Sequence, residues 1–314
     1  MTRILVTGGA GYIGSILVPM LLEKGQEVIV LDNFMYGQTS LLDCCHNPRL
    51  RIIRGDVRDK KLIEGPLAKS DIIIPLACIV GADACDRDPI AAKSVNLDAI
   101  YHILARRSRN QKVIFPNTNS GYGIGQSGIF CDENSELKPV SLYGKLKVEA
   151  ENNVLLKYDS GDAIALRLAT VFGASPRMRL DLLVNDFVHK AVTDGYIELS
   201  ESHFKRNYIY VRDVARAFIH CIENFESMNK KPFNVGLSDA NLSKMELCLE
   251  IKKQIPNLRI YENESRKDPD QRNYIVSNAK IEATGFKPET SLQDGIAELI
   301  KAYQIIKNNK FANT

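Results

Sequence analysis

The stretch VTGGAGYIGS, residues 6–15, decides the fold. It follows the apolar run RILV, precedes a helical pattern, and has the spacing G-x-x-G-x-x-G. Glycines between a strand and a helix let the backbone approach a pyrophosphate, whose charge the helix N-terminus favours. We therefore predict a dinucleotide site here and not a strand–helix turn without a ligand. The residues expected against the cofactor are Gly8, Gly11, Tyr12, Ile13 and Gly14.

Strand-like and helix-like patterns alternate outward from this glycine loop. The further apolar runs of strand length are EVIVLD, LRIIRGD, DIIIPLA, KVIFPN and AIALRLATVFG. This alternation predicts the α/β class, with a Rossmann-type doubly wound parallel sheet covered by helices on both faces. We expect an NAD-binding Rossmann domain at 1–170, with residues 205–225 returning to it. Residues 171–314 are expected to form mainly a smaller C-terminal α/β substrate lobe.

The end of the second strand predicts which dinucleotide binds. Asp32 falls 18 residues after Gly14, where a carboxylate accepts both ribose hydroxyls of NAD and repels the 2′-phosphate of NADP. No arginine or lysine follows before residue 49, so NAD is favoured. Asp56 in GDVRD can reach the adenine amine or, alternatively, cap a loop. The rest of the expected cofactor set is Asn33, Val57, Leu76 and Ala77, together with Tyr143 and Lys147 further along the chain.

A tyrosine and a lysine four residues apart suggest the chemistry. Tyr143 and Lys147 in YGKLK share a helix face. A free phenol titrates near pH 10, and an adjacent ammonium with a positively charged nicotinamide lowers that value. Thr118, at the end of the strand KVIFPN, would hold the substrate hydroxyl and share its proton with the phenolate. The alternative is an exposed helical pair without a catalytic role.

Composition excludes several other classes of protein. The chain has 314 residues and a net charge of +3, and its one basic run, RRSR, is typical of a solvated helix end, so we expect no nucleic-acid partner. Seven cysteines without a C-x-x-C pair indicate free thiols and no metal site. The longest apolar run, IIIPLACIV, is too short to span a membrane. With no signal peptide at the N-terminus, a cytoplasmic location is expected.

Taken in order, the motifs resemble those of the extended short-chain dehydrogenase/reductases, in the nucleotide-sugar epimerase/dehydratase family. The motifs that carry the resemblance are TGGAGYIGS, GDVRD, PLACIVG, VN at 95–96, YGKLK and RNYIYVRDVARA. The resemblance implies NAD that stays bound, as NAD⁺ or NADH, and a nucleotide-diphosphate sugar as substrate. It also implies a homodimer or higher homo-oligomer, paired through helices near 94–108 and 142–158.

The same resemblance implies a catalytic set and a substrate-binding set. Thr118, Tyr143 and Lys147 match the catalytic set. Thr170 stands where many relatives carry an Asn, and the segment after it brings two arginines that can clamp a diphosphate. The expected substrate contacts are Asn119, Ser120, Thr170, Arg177, Arg179, Asn185, Arg206 and Arg272.

The reaction expected from these residues is oxidation at C4 of a nucleotide-linked hexose or heptose. The subgroup resembled implies GDP-linked or other bacterial surface sugars, including heptose C4 dehydrogenases. Related 4,6-dehydratases carry Asp-Glu after the catalytic Thr, whereas Asn119 and Ser120 cannot move a proton at C5. We therefore predict a C4 dehydrogenase or epimerase and no dehydration. The alternatives are a non-catalytic NAD-binding sensor or scaffold, and a reductase of a non-sugar ketone.

Overall fold

The computed structural model describes residues 1–157, 161–263 and 272–306. Within these ranges the strands are β1 (Arg3–Thr7), β2 (Glu27–Asp32), β3 (Leu50–Arg54), β4 (Ile72–Pro75), β5 (Lys112–Thr118), β6 (Phe130–Cys131), β7 (Ala163–Leu168), β8 (Thr170–Phe172), β9 (Tyr196–Leu199), β10 (Lys205–Tyr210), β11 (Lys231–Val235), β12 (Asn241–Ser243), β13 (Arg259–Glu262) and β14 (Ile275–Val276).

The helices of the same ranges are α1 (Gly14–Glu23), α2 (Lys60–Ala68), α3 (Ala82–Arg87), α4 (Pro89–Lys93), α5 (Ala99–Arg106), α6 (Leu142–Asn152), α7 (Leu183–Thr193), α8 (Val211–Glu223), α9 (Phe225–Met228), α10 (Lys244–Gln254), α11 (Ala279–Glu282) and α12 (Leu292–Ile305). A π-helical turn, Ser94–Asp98, joins α4 to α5, and another, Asn153–Lys157, extends α6.

The predicted Rossmann-type sheet is confirmed. Its strands run in the order β11-β7-β5-β4-β1-β2-β3, and every pairing between neighbours is parallel. The central strands are almost wholly buried, as continuous apolar runs in a doubly covered sheet should be. β3 differs: it forms the edge of the sheet, and most of its residues are half-buried or exposed.

The run AIALRLATVFG was predicted as one strand, and that prediction is wrong. The chain bends at Ala169, whose N–H donates to Val235 O at 2.9 Å. Before the bend β7 lies in the large sheet; after it β8 pairs with β10, which in turn pairs with β12. Residues 205–225, expected to return to the Rossmann domain, form β10 and α8. Of these, β10 belongs to the smaller sheet, whereas α8 packs on α1. The later strand that joins the large sheet is β11.

Several strands of the large sheet have their carboxyl ends at the same edge of that sheet. β1, β2, β4 and β5 all end at this edge because parallel strands share their direction. In the described parts of the chain, no helix is both long and apolar enough to cross a membrane.

Candidate active site

One cavity of about 610 Å³ opens at the carboxyl ends of these parallel strands. This is the position where open α/β sheets bind their ligands. The predicted residues that line it are Gly8, Gly11, Tyr12, Ile13, Gly14, Asp32, Asn33, Asp56, Val57, Leu76, Ala77, Thr118, Ser120, Tyr143, Lys147, Thr170, Arg177, Arg179, Arg206 and Arg272. Segments from most of the chain thus converge on one space.

The glycine loop forms a cradle that side chains would fill. Gly8 has φ of +69°, and a Cβ there would lie 2.6 Å from the backbone nitrogen of Ala77. A Cβ on Gly14 would lie 2.5 Å from Gly9 O. α1 begins at Gly14, so the N-terminus of this helix stands at the cavity. The space, the bare backbone and the helix end fit the pyrophosphate of a dinucleotide.

Asp32 ends β2 and is held rigidly beside this loop. Its Oδ2 accepts from the Ala10 N–H at 3.0 Å, and its Oδ1 accepts from the Phe34 N–H at 2.8 Å and from Gln38 at 3.2 Å. Burial raises the pKa of the carboxyl, while these hydrogen bonds act in the opposite direction. The side chain is therefore fixed at the place expected for ribose recognition.

Asp56 is already engaged by its neighbour. Arg58 donates to Oδ1 at 2.8 Å and to Oδ2 at 2.7 Å, and the Arg58 N–H donates at 2.9 Å. The hydrogen bond from the Arg58 side chain lowers the pKa of Asp56 to about 2. Asp56 lines the cavity, but its carboxylate forms the loop cap that the sequence left open as an alternative.

Thr118 and Ser120 form a linked pair of hydroxyls at the end of β5. Thr118 Oγ1 donates to Ser120 Oγ at 2.9 Å and accepts from the Ser120 N–H at 3.1 Å. Arg272 also donates to Ser120 Oγ. This arrangement joins a catalytic candidate to a guanidinium through one serine.

Tyr143 and Lys147 lie on the same face of α6, whose N-terminus is capped by Ser141 through the Gly144 N–H at 3.1 Å. The Lys147 side chain is buried, with Nζ 4.2 Å from the centroid of the Phe115 ring. Burial lowers the pKa of Lys147. Burial also raises the pKa of Tyr143, with Cys78 adding to the rise and Arg179 opposing it. Both shifts favour the uncharged forms of the two side chains.

A buried ion pair fixes α6 against the sheet. Arg167 on β7 bonds Glu151 at 2.7 Å, and both side chains are buried. Asn117 on β5 donates to the same carboxylate. Glu151 lies four residues after Lys147, one turn further along the helix. The network therefore sets the position of the Tyr143–Lys147 face relative to Thr118 on the neighbouring strand.

Two residues predicted as substrate contacts do not line the cavity. Asn185 is fully buried: its Oδ1 accepts from the Gly173 N–H at 2.9 Å, and its Nδ2 donates to Arg179 O at 2.8 Å. Its amide is used to hold the loop after β8. Asn119 is 1% exposed, and its amide atoms have no hydrogen-bond partner among the described residues. The chain turns into a 3₁₀ turn after Thr118, which directs Ser120, and not Asn119, to the cavity.

Arg206 and Arg179 also line the cavity, and both are buried. Arg206 is 3% exposed; its Nη1 donates to Lys205 O at 2.9 Å, and its guanidinium lies 5.7 Å from the centroid of the Tyr274 ring. Arg179 is 8% exposed, and its Nε donates to Asp181 at 3.1 Å. Guanidinium groups in such sites are suited to diphosphate recognition.

Sequence reasoning missed Lys244 and Tyr36. Lys244 is 4% exposed, lines the cavity, and donates through Nζ to Ser200 O at 2.7 Å. It is the first residue of α10, next to the capping serine Ser243, and only that capping pattern was visible in the sequence. Tyr36 lines the opposite part of the cavity. Across the described ranges, no group of His, Cys, Asp and Glu side chains could hold a metal ion.

A strand-end cavity with a glycine cradle, an acid-ended second strand and a Thr/Tyr/Lys set defines a dinucleotide-dependent oxidoreductase site. The model of the "NAD dependent epimerase/dehydratase family" matches residues 4–236, and the chain belongs to that family. The chain is accordingly an enzyme of the NAD-dependent nucleotide-sugar epimerase/dehydratase type, with NAD as its cofactor. The predicted family is confirmed.

Relatives extend along almost the whole chain. UDP-glucuronic acid decarboxylase 1 of Arabidopsis thaliana is 29% identical, over 96% of this chain and 70% of that protein. A putative UDP-glucose 4-epimerase of Methanocaldococcus jannaschii is 28% identical, over 98% of this chain and 99% of that protein. The solved UDP-glucuronic acid 4-epimerase of Bacillus cereus, in complex with UDP-glucuronic acid and NAD, has a TM-score of 0.87 at 22% identity, over 96% of this chain and 99% of that one. The last similarity confirms the fold.

Proposed function

We propose that this enzyme oxidises C4 of a nucleoside-diphosphate sugar, as a dehydrogenase or an epimerase and without dehydration. The observation that carries the proposal is the convergence of Thr118, Ser120, Tyr143 and Lys147 on the cavity that holds the glycine cradle. A hydroxyl donor, a phenol and a buried ammonium are the groups needed to take a proton from an alcohol. The sugar of the substrate would lie over Thr118 and Tyr143, and the nucleoside diphosphate of the substrate would lie toward Arg206 and Lys244.

The proton of the C4 hydroxyl passes to Tyr143, with Thr118 holding the hydroxyl oxygen. Burial is the largest cause of the raised pKa of Tyr143, so the phenolate needs positive charge nearby. Arg179 and Arg272 both act to lower this pKa, and Lys147 lies on the same helix face. Bound NAD supplies the acceptor for the hydride that leaves C4. Ser120 aligns Thr118 and does not itself transfer a proton, because its hydroxyl is neither acidic nor basic near neutral pH.

The decarboxylases among the relatives fit the same first step. A ketone at C4 of a uronic acid stands β to the C6 carboxylate. The C5–C6 bond can then break with its electrons moving into the ketone, carbon dioxide leaves, and C5 takes a proton. This route requires C4 oxidation but no carboxylate pair after Thr118. UDP-glucuronic acid and UDP-glucose are therefore the first substrates to test. A GDP-linked heptose comes next, because it would be the substrate if the enzyme acts in the synthesis of a bacterial surface polysaccharide.

Mass spectrometry of the product tests the proposal. The NAD-containing enzyme is incubated with each sugar nucleotide, and Tyr143→Phe serves as the inactive control. A product that has lost two hydrogens, an isomer of unchanged mass, or loss of carbon dioxide from the uronic acid would support C4 oxidation. Loss of water by the enzyme alone would contradict the proposal that no dehydration occurs, because another acid–base pair would then act at C5.

We further propose that the enzyme is a homodimer paired through the outer faces of α5 and α6. Tyr101 links these helices within one chain: its hydroxyl donates to Glu149 at 2.7 Å and accepts from Asn153 at 2.9 Å. Size-exclusion chromatography with light scattering measures the mass in solution. A monomeric mass at micromolar concentration would rule the dimer out.

A further inference from the structure

Arg177, which the sequence pattern assigned to the substrate diphosphate, lies in the part of the cavity formed by the glycine loop and the end of β2. Its backbone N–H donates to Ser15 Oγ at 3.4 Å, on the first turn of α1. Its guanidinium carbon lies 4.4 Å from the centroid of the Tyr36 ring. Its positive charge also acts on Asp32, where it opposes the rise in pKa caused by burial. Apart from Met178 O, which accepts a hydrogen bond from Arg177 Nη1, these partners belong to the first strand–helix–strand unit and the turn after it.

The loop that carries Arg177, residues 173–182, is tied to the glycine loop. Ser175 Oγ donates to Tyr12 O at 2.8 Å and lies 2.8 Å from Ser15 Oγ. The Tyr12 hydroxyl donates to Gly173 O at 2.7 Å. These contacts fix the start of the loop against the N-terminus of α1. We call residues 173–182 the bridging loop, because Arg179, two residues further on, acts on Tyr143 at the reaction end.

Tyr36 comes from the turn after β2, which is equally well fixed. Phe34 and Gly37 have φ of +53° and +61°, so the turn is tight. Gln38 accepts from the Tyr36 N–H at 3.2 Å and donates to Asp32 at 3.2 Å. The Tyr36 ring is 42% exposed, and it therefore stands at the mouth of the cavity with Arg177 against it.

We propose that Arg177 and Tyr36 together cover bound NAD and set how slowly it leaves. The glycine loop and the N-terminus of α1 would hold the pyrophosphate from one side, and the Arg177 guanidinium would hold it from the other. The Tyr36 ring, against which Arg177 lies, would cover the adenosine ribose beside Asp32. NAD can leave only after the guanidinium has separated from both the ring and the phosphates, two attractive contacts in a partly desolvated site.

The exchange rate of bound NAD tests this assignment. The NAD-loaded enzyme is mixed with excess radiolabelled NAD, and the rate of label uptake is compared between variants. Arg177→Met and Tyr36→Ala should exchange at least about tenfold faster, the loss expected for one charge-assisted contact. Tyr36→Phe keeps the ring face and should exchange at the wild-type rate. Arg51→Met removes an exposed arginine on β3, outside this cavity, and is the matched control.

Wild-type exchange in a folded Arg177→Met variant would overturn the proposal. A weaker binding of UDP or GDP to that variant, with NAD exchange unchanged, would likewise overturn it and return Arg177 to the substrate half. If Arg177→Met does not fold, Tyr36→Ala decides alone, since its side chain lies on a half-exposed turn: faster exchange supports the proposal and unchanged exchange refutes it.

Discussion

The glycine loop and the bridging loop face the same cavity but use different parts of the chain. The glycine loop offers backbone: at Gly8 and Gly14 a single added carbon would collide with main-chain atoms. The bridging loop offers side chains, with Arg177 toward the cofactor and Arg179 toward the reacting phenol. A side chain added to the glycine loop collides with main-chain atoms, whereas each arginine of the bridging loop can be replaced separately. A mutation in the glycine loop should therefore cause a large loss of function, and a mutation in the bridging loop a smaller one.

The largest effect is expected at Tyr143, which lies on α6 outside both loops and lines the same cavity. Tyr143→Phe should lower kcat by about 10²–10⁴, the range for loss of a general acid–base group. Bound NAD should be retained, because the cradle is untouched. Steady-state kinetics and the ratio of bound cofactor measure the two quantities. Tyr196→Phe is the control, since that half-exposed side chain on β9 lies outside the cavity. A near wild-type kcat for Tyr143→Phe would remove Tyr143 from the reaction.

Gly8→Ala tests the backbone cradle. The substitution strains a left-handed residue and presses a Cβ against the Ala77 backbone, so the loop must move away from its partner. A strained position costs on the order of 1–3 kcal/mol, and NAD affinity should fall by about 30-fold. Gly25→Ala is the matched control: its φ is +78°, but nothing lies within 4 Å of the added carbon. Equal NAD affinities in the two variants, measured by calorimetry, would show that the close approach of Gly8 to the Ala77 backbone is not needed for NAD binding.

What the sequence predicted correctly is local in the chain. The glycine loop was recognisable because strand, turn and helix follow one another, and Tyr143 and Lys147 because one helical turn separates them. Thr118 was placed by the end of an apolar strand. Each of these inferences needs only the geometry of one or two elements, and the structure brings all three catalytic candidates to one cavity.

What the sequence could not predict depends on which distant segments pack together. The amide of Asn185 appeared to be a ligand contact, but Gly173 and Arg179 use it. Arg177 was assigned to the substrate diphosphate, but its guanidinium lies against Tyr36 and its N–H donates to Ser15, next to the glycine loop. The bend at Ala169, which moves β8 to the smaller sheet, leaves no mark in an apolar run. Lys244 looked like any lysine at the start of a helix.

Arg206→Met tests a side-chain contact on β10, outside the two loops. A charge-assisted hydrogen bond contributes roughly 1.5–3 kcal/mol, so the KM for the sugar nucleotide should rise about tenfold or more. Lys244→Met should raise it by a smaller factor, because an ammonium offers a single point contact where a guanidinium offers two. Lys205→Met is the control, because that side chain is 44% exposed. If neither Arg206→Met nor Lys244→Met changes KM or kcat, the nucleotide does not lie at this end of the cavity.

The smallest effect is expected at Ser120, and its size separates two chemistries. Ser120 links Thr118 to Arg272 but, in our proposal, moves no proton. The bond between Thr118 and Ser120, which aligns the Thr118 hydroxyl, is neutral and worth about 0.5–1.5 kcal/mol net, so in Ser120→Ala kcat/KM should fall only about two- to tenfold. Ser135→Ala, which deletes a hydroxyl bonded to Asp132 on a turn outside the cavity, should leave it unchanged. A loss in the range expected for Tyr143→Phe would mean that Ser120 takes part in proton transfer. The second position after Thr118 would then act as it does in a dehydratase, and the prediction that the enzyme does not dehydrate its substrate would have to be abandoned.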